Sequence, residues 1–448
     1  GPLADMLGLV RGSHVGQLIG GALDQASATG PAALQLQLNL PVSHIDTSTV
    51  RGSLALAGND LRITPQTPLV ERAQGSVQFT DAGFTLAGVR GRSLGGEVRF
   101  EGGMRPPASP GAEAPVQVRA QGVVTAEGLR QASGLGGVSH MARLASGSTP
   151  YSVTIGVRRG VAEVQVATSL QGMALALPAP LGKPADTALP VRYENRLTEA
   201  SAASSTAPLR DELVVDLGGV GSARYLRDLS GPAPHVLSGA IALGLAPGES
   251  VPIPAAGVAA NVQLQHVDVD AWQTAFLPPE PAASTGAAAS PAASQASTGE
   301  TLEYLPQQLA VRAATVTRQG RTLHDVVAGV SRQGTTWRAN VDASELDGYF
   351  EYRQGEGAAQ GRLYARLSRL TIPQAAVKQV DDMLLGDDNS QPGALPSLDI
   401  VVQDFELRGR RLGRIEIEAQ NRDAEGKREW LLSRFNLVAP EATFTSSG

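Results

Sequence analysis

The chain has 448 residues, enough for two or three globular domains or for one elongated repetitive body. Its 37 basic and 43 acidic residues give a net charge of −6 without a basic block, which argues against a nucleic-acid surface. It contains no cysteine, so thiolate metal sites and disulfide frameworks are excluded. Glycine (51) and proline (29) are abundant and aromatic residues make up only 4%, a composition that suits many tight turns.

The sequence has neither a signal peptide nor an apolar run near the roughly 18–20 residues of a membrane span. The chain begins at Gly1 rather than at a methionine and stops at Gly448, just after a strand-like run. We therefore expect it to be a piece of a longer protein.

The first 30 residues predict a helical cap or linker, because the apolar residues of 6–26 have mixed helical spacing interrupted by glycines. The segment 34–40 follows as LQLQLNL, an alternating strand that places Leu34, Leu36, Leu38 and Leu40 on one face. This is the cleanest strand pattern in the sequence.

Residues 51–103 predict five or six strands in hairpin order. We expect turns at 58–60 (Gly-Asn-Asp) and at 81–83 (Asp-Ala-Gly), because these residues tolerate positive φ angles. A linker rich in proline, alanine and glycine follows at 106–115. Residues 125–145 do not alternate and predict two short helical turns.

The segment from Val161 to Val191 begins with the same alternating design. Val164, Val166 and Leu170 alternate with polar or small residues, which predicts a sheet with one apolar and one polar face. Prolines from Pro178 onward end the strand, because proline donates no hydrogen bond to a neighbouring strand.

The second half repeats the pattern with two interruptions. Residues 198–208 are rich in Ala, Ser and Thr and predict a loop, and 278–300 form an Ala/Ser/Pro-rich segment that we expect to be disordered. Residues 373–385 predict a helix between strands. We therefore divide the chain into a cap or linker (1–30), a β segment (31–277), the loop (278–300) and a second β segment (301–448).

The predicted fold class is mainly β, with about two dozen strands and a few short helices. An open sheet rarely exceeds about ten strands without curling or splitting. The strands therefore either divide into sandwich domains or form one long trough.

A search for catalytic or metal-binding residues selects none. The six histidines lack the HExxH or HxH spacing of metal ligands. The acidic residues around 381–389 lack the alternate spacing and closing Glu of a calcium loop, and the Gly-rich turns lack the GK[ST] of a phosphate loop. We expect no cofactor and no enzymatic activity.

Three phrases of the sequence resemble the YhdP proteins of Gram-negative bacteria, in the AsmA-like group. They are LQGMALALPAPLGKP (170–184), LTIP (370–373) and LPSLDIVVQDFELRGRRLGR followed by IEIEA (395–419). Their order and spacing also fit, so that the resemblance covers nearly the whole chain, as the middle to C-terminal part of a longer protein. They are structural phrases, which identify a family better than they identify working residues.

The resemblance implies a bridge-like lipid-transfer protein with a repeating β-groove: a long, twisted antiparallel sheet curled into an elongated U-shaped groove lined by apolar side chains. It implies a periplasmic protein whose parent is anchored in the inner membrane. Its partners would be phospholipids, the inner and outer membranes and possible envelope proteins, but no nucleic acid.

The residues themselves leave three functions open. In the first, an apolar groove conducts phospholipid, and its candidate lipid contacts are Leu34, Leu36, Leu38, Leu40, Val164, Val166 and Leu170. In the second, the same residues form closed cores of a structural or scaffolding envelope protein with a protein partner, because alternation alone does not distinguish core from lipid contact. The third, a β-rich enzyme, needs paired carboxylates in a cleft, and the sequence selects no pair.

Overall fold

A computed structural model describes residues 1–11, 23–39, 49–80, 83–104, 116–204, 206–231, 233–246, 248–276, 303–355, 361–372, 396–424, 427–439 and 443–447. The protein is mainly β, with 24 mostly antiparallel strands and a few short helices. This confirms the predicted mainly-β, antiparallel fold class. The loop predicted at 278–300, the linker at 106–115 and the helix at 373–385 lie outside the described residues.

The chain divides into two compact units, which are described separately. Unit 1 comprises residues 1–239 and 273–304, and unit 2 comprises residues 240–272 and 305–448. The strand β14 (His235–Leu243) contains the point of division.

The helices are short; the first precedes β1 and the others lie between strands. They are α1 (Leu3–Arg11), α2 (Ala126–Gln131), α3 (Gly137–Met141), α4 (Glu199–Ala203) and α5 (Val269–Phe276), with 3₁₀ turns at Ser133–Leu135 and Ala142–Leu144. The helical turns predicted within 125–145 are therefore confirmed. The side-chain oxygen of Thr125 caps α2 by accepting a hydrogen bond from the Gly128 N–H.

Unit 1 contains thirteen strands before β14. They are β1 (Ser27–Thr29), β2 (Ala32–Asn39), β3 (Thr49–Arg62), β4 (Val70–Thr80), β5 (Gly83–Ser93), β6 (Gly96–Met104), β7 (Val116–Thr125), β8 (Ala145–Arg158), β9 (Val161–Thr168), β10 (Met173–Leu175), β11 (Val191–Leu197), β12 (Arg210–Asp216) and β13 (Gly221–Asp228). From β2 to β9 each strand pairs antiparallel with the next, and β9 continues to β11, β12 and β13.

Two short strands each pair with one end of a longer strand whose other end pairs with a different neighbour. β1 pairs with the C-terminal end of β3 beside β2, and β10 pairs with the N-terminal end of β8 beside β9. The long strands β3 and β8 therefore each serve two neighbours on one side.

Unit 2 contains ten strands. They are β15 (Gly257–Asp268), β16 (Gln308–Arg318), β17 (Arg321–Gln333), β18 (Thr336–Asp342), β19 (Leu346–Arg353), β20 (Arg362–Ile372), β21 (Ser397–Leu407), β22 (Arg410–Ala424), β23 (Lys427–Val438) and β24 (Thr443–Ser447). Consecutive strands pair, and the pairs β15–β16 and β20–β21 are parallel while the others are antiparallel. A parallel pair needs a long crossover connection, and the chain has 39 residues between β15 and β16 (269–307) and 24 residues between β20 and β21 (373–396).

Three local predictions are wrong. Residues 51–103 form four strands, β3 to β6, rather than five or six. The Gly58–Asn59–Asp60 segment is not a turn, because β3 runs through it and the strand register shifts around Asn59. Asn59 is fully buried at this bulge: its Oδ1 accepts from the Ala57 N–H, and its Nδ2 donates to the carbonyl oxygens of Thr29 and Pro31. The segment 198–208, predicted as a loop, contains α4, which Thr198 caps by accepting from the Ser201 N–H.

The buried core consists of small clusters on the sheet. In unit 1, Leu3 of α1 packs on Leu56, Ala73 and Val89, so this helix covers the sheet at one place. A second cluster in unit 1 joins Val124, Ala126, Ala145 and Met173. In unit 2 the cluster consists of Ala365, Leu367, Val402, Phe405 and Ile415.

Candidate functional site

A continuous row of apolar side chains crosses unit 1. Residues that face each other in neighbouring strands point to the same side of a sheet, and following the strand register from β2 to β13 connects one residue of each of eleven strands. The row consists of Leu34, Leu54, Val77, Leu86, Gly102, Val118, Ile155, Val164, Asn195, Leu213 and Tyr225. Only Gly102 and Asn195 in this row lack an apolar or aromatic side chain.

A parallel row, two residues away on each strand except on β5, where the register shift makes it three, has the same character. It consists of Val89, Phe100, Ala120, Val153, Val166, Tyr193, Val215 and Ala223. Together the two rows form what we call the apolar face of unit 1. Ten strand spacings of about 4.8 Å give its longer row a length of roughly 48 Å.

The opposite side of the same strands is polar. One register row there consists of Glu101, Arg119, Thr154, Gln165, Glu194, Val214 and Arg224. Arg196 and Glu212 face each other on neighbouring strands and form an ion pair at 3.2 Å. The sheet therefore has the two unlike faces that the sequence predicts.

The apolar face of unit 1 is only partly covered. From Leu34 to Val164 every apolar side chain of the longer row is half-buried rather than buried. In a sandwich, side chains from two sheets interdigitate and fill the core between them. Half-buried side chains from Leu34 to Val164 are instead typical of a surface that borders open space, whereas Leu213 and Tyr225 at the end of the row are buried.

The predicted leucine strand lies at one end of this face. Leu34 is half-buried, while Leu36 and Leu38 are 52% and 57% exposed. Leu36 faces Gly52, whose missing side chain leaves room for the Phe79 ring: a Cβ at Gly52 would lie 2.4 Å from that ring. Leu40 lies outside the described residues.

The second predicted group divides between two environments. Val164 and Val166 are half-buried on the apolar face, so the structure brings Val164 into one row with Leu34 across six intervening strands. Leu170 does not continue their strand, because β9 ends at Thr168 and Leu170 has a φ angle of +48°. Its side chain packs instead against the cluster around Met173.

Unit 2 has an apolar face of its own. A register row that includes the two parallel pairs crosses all ten strands, from β15 to β24. It consists of Val262, Val311, Ala328, Val341, Gly348, Leu367, Val402, Ile415, Leu437 and Phe444. The residues from β15 to β19 are half-buried, Leu367, Val402 and Ile415 are buried, and Phe444 on β24 is 57% exposed.

The last strands of the unit 1 face carry a buried ion pair that the sequence analysis missed. Arg227 donates from Nε to Asp211 Oδ1 at 2.9 Å and from Nη2 to Oδ2 at 2.5 Å, and the two residues face each other on β12 and β13. The Tyr304 hydroxyl accepts a further bond from Arg227 Nη1, and the Tyr225 hydroxyl donates to the Tyr304 carbonyl.

Burial and hydrogen bonding shift the pKa values of Arg227 and Tyr225. Burial alone lowers the pKa of Arg227, but the hydrogen bonds to Asp211 and Tyr304 raise it further than burial lowers it. Burial, together with the nearby Tyr304, raises the pKa of Tyr225 to about 12. Strand alternation could have indicated this pair in the sequence. Asp211 lies two residues before Leu213 and Arg227 two residues after Tyr225, so both occupy positions on the same side of the sheet as these residues.

Among the described residues, no three His, Asp or Glu side chains lie together so as to hold a metal ion. None of the described helices has the length and apolarity to cross a membrane.

The comparison with family models decides the relationship. The model of the YhdP protein family matches residues 1–448. The chain belongs to the YhdP family. In separate comparisons, no curated protein and no solved structure matches the chain. Membership indicates an envelope-associated protein, and the YhdP family is not a known enzyme family. The resemblance on the three sequence phrases is thereby confirmed.

Proposed function

We propose that this YhdP-family chain is a non-enzymatic, lipid-conducting segment that carries phospholipid between the inner and outer membranes. The observation that carries the proposal is the half-buried apolar row of unit 1 from Leu34 to Val164, interrupted only by Gly102 and backed by a polar face on the other side of the same strands. In this proposal the chain works in the periplasm, and its parent protein is anchored in the inner membrane.

The energetics of lipid tails favour such a surface. Each CH₂ group removed from water contributes about 0.8 kcal/mol, so a partly covered tail gains several kcal/mol on a surface of this kind. The strands satisfy their own backbone hydrogen bonds laterally, and a tail lying on the face therefore meets no unpaired amide groups.

The size of the face also suits the proposal. One acyl chain spans about 15 Å, half of the roughly 30 Å hydrocarbon core of a bilayer. The longer row of unit 1, at roughly 48 Å, is therefore about three chain lengths long. A lipid can move along it by exchanging one set of apolar contacts for an equivalent set on the next strands.

The test compares two double variants on the same two strands. Leu54→Asp/Val118→Asp places two carboxylates on the apolar face, and Ser53→Asp/Gln117→Asp places them one residue away, on the polar face. We expect phospholipid to co-purify with the unchanged chain and with the second variant, and to be reduced at least tenfold in the first. Native mass spectrometry with lipid extraction measures the amount of co-purified phospholipid, and circular dichroism verifies that both variants are folded.

A structural or scaffolding protein with closed cores is the alternative function. The buried residues Leu367, Val402 and Ile415 of unit 2 favour it locally. A folded chain that carries no lipid and takes up no added phospholipid would contradict the conducting proposal and favour the scaffold.

A further inference from the structure

A cavity of about 460 Å³ lies in unit 1 at the ends of β3, β4 and β5, beside α2. Ligand pockets commonly have volumes of roughly 300–1,000 Å³. Its charged lining residues are Arg62, Arg72, Arg92 and Glu71. The lining thus contains three guanidinium groups and one carboxylate.

The guanidinium groups of this cavity are poorly neutralised. Within the described part of the chain, the side chains of Arg62 and Arg72 make no ion pair or hydrogen bond, and that of Arg92 makes only a 3.4 Å hydrogen bond to the Gly95 carbonyl. Glu71 faces Arg92 across β4 and β5 without forming an ion pair with it. Unpaired arginines in a concave site attract anions, and their planar groups bind phosphate through paired hydrogen bonds.

The backbone around the cavity is held in unusual conformations. Arg72 and Leu94 have φ angles of +52° and +54°, which are uncommon for residues other than glycine. The Arg72 N–H donates to Asp60 Oδ1 at 2.9 Å, which fixes the start of β4 in this conformation. Such local strain is concentrated at binding sites, where the surrounding structure maintains it.

The walls of the cavity depend on close approaches that only glycine permits. A Cβ at Gly128 of α2 would lie 2.0 Å from the Leu94 carbonyl group, and a Cβ at Gly134 would lie 2.8 Å from the Gln66 carbonyl oxygen. The loop after β3 and the turn after β5 are thus packed directly against the helical segment. The cavity is therefore a built feature of the fold rather than a gap between side chains.

The lining of the cavity also contains apolar residues. They are Leu69, Leu94 and Leu135, which lie in the loop before β4, in the turn after β5 and in the 3₁₀ turn after α2. A molecule with an anionic group at the arginines can therefore place an apolar part against these leucines.

We propose that this arginine-lined cavity binds a phosphate group, and that in the lipid-carrying protein this group belongs to a phospholipid head group. The lipid assignment rests on the proposed function, whereas the phosphate site does not. A free phosphate ester has the same chemistry, so the experiment uses both kinds of ligand.

The variant that removes the site is Arg62→Gln/Arg72→Asn. Asparagine at 72 removes the charge while tolerating the positive φ angle. The matched control is Arg90→Gln/Arg99→Gln, which removes the same charge from two exposed arginines that face each other on β5 and β6, outside the cavity.

Isothermal titration of the full 448-residue chain uses four probes: inorganic phosphate, glycerol 3-phosphate, dihexanoyl phosphatidylglycerol and the uncharged dihexanoylglycerol. We expect the three phosphate-containing probes to bind to the unchanged chain, and we expect the site variant to lower their affinity at least tenfold. The control variant should change these affinities less than twofold. The uncharged lipid should bind with equal affinity to the unchanged chain and to both variants.

The probes separate the two sources of phosphate. Phosphatidylglycerol that binds at least tenfold more tightly than glycerol 3-phosphate supports a lipid head-group site. Equal affinity supports a phosphate site but overturns its assignment to lipid. Absence of binding by every phosphate probe, or an equal loss in the control variant, overturns the site itself.

The same titrations distinguish a failure of the phosphate site from a failure of the proposed function. Binding of the uncharged lipid without binding of phosphate would overturn only the phosphate site, and binding of phosphate without binding of any lipid would contradict only lipid conduction. If the site variant does not fold, hydrogen exchange of the unchanged chain decides. Glycerol 3-phosphate must then slow exchange in 62–72 and 92–95, and unchanged exchange there overturns the proposal.

Discussion

The two ends of the strand β8 differ in how their apolar side chains are covered. Towards its C-terminus, Val153 and Ile155 are half-buried on the apolar face of unit 1. At its N-terminus, Ala145 is buried in the cluster with Met173, whose side chain is 1% exposed. The strand itself is continuous, and the difference arises from what packs on its N-terminal end: the segment after β9, which folds back there as β10, and Ala126 and Leu129 of α2.

A single lysine anchors this returning segment. The Lys183 ammonium group lies 2.5–3.1 Å from four backbone carbonyl oxygens, those of Leu170, Met173, Pro184 and Thr187. Burial lowers the pKa of Lys183. An ammonium group has three donors, which the four acceptors share. The comparison teaches that alternating strands supply an apolar surface, and that a separately anchored segment decides whether the surface becomes a core.

The largest expected effect concerns the buried ion pair of Asp211 and Arg227, which lies beside the apolar face of unit 1 on β12 and β13. Asp211→Asn should lower the free energy of unfolding by about 3–5 kcal/mol, because it leaves Arg227 buried without its partner. Urea unfolding followed by circular dichroism measures it. The neighbouring Glu212→Gln breaks the partly exposed pair with Arg196 and should cost about 0–1 kcal/mol. Equal effects of the two changes would show that the Asp211 pair is not buried in solution.

Truncation of one apolar side chain in each region tests the comparison directly. Met173→Ala should cost about 2–5 kcal/mol, because it leaves a cavity in a covered cluster. Leu36→Ala, at a side chain that is 52% exposed, should change stability by less than about 0.5 kcal/mol. The same unfolding experiment compares them, and a large loss at Leu36 would mean that the face is covered in solution.

Removal of the anchoring charge should have a smaller effect. Lys183→Met keeps the length of the side chain but leaves carbonyl oxygens without donors, which should cost about 1–3 kcal/mol. Hydrogen exchange should then rise in residues 170–189 while that of β3 to β7 stays unchanged. Arg192→Met, which breaks an exposed ion pair with Glu194, is the control and should have little effect on either region. Faster exchange throughout unit 1 would contradict a local anchor.

The sequence predicted the strands and the two unlike faces because both depend on alternation, which is local. Val164 and Val166 were assigned to the apolar side on this basis alone, and the strand register places them there. What joins Val164 to Leu34 in one row is the register of six strands between them. No short segment of sequence contains that information.

The wrong turn prediction at 58–60 has a long-range physical cause. Gly58–Asn59–Asp60 has turn composition, but Asn59 uses its side chain to bind Thr29 and Pro31 some thirty residues away, and the strand continues through it. Long-range hydrogen bonds of this kind overrule local preference. The arginine cavity was missed for the same reason, since its three arginines are ten to thirty residues apart in the sequence.

Site-specific photo-crosslinking to phospholipid tests the central claim most directly. A photoreactive amino acid is placed at Val118 or Val164 on the apolar face, and at the adjacent Gln117 or Gln165 on the polar face of the same strands. A conducting surface predicts strong lipid labelling at both valine positions and little at both glutamine positions. Labelling that is absent at the valines, or equal on the two faces, would contradict the account.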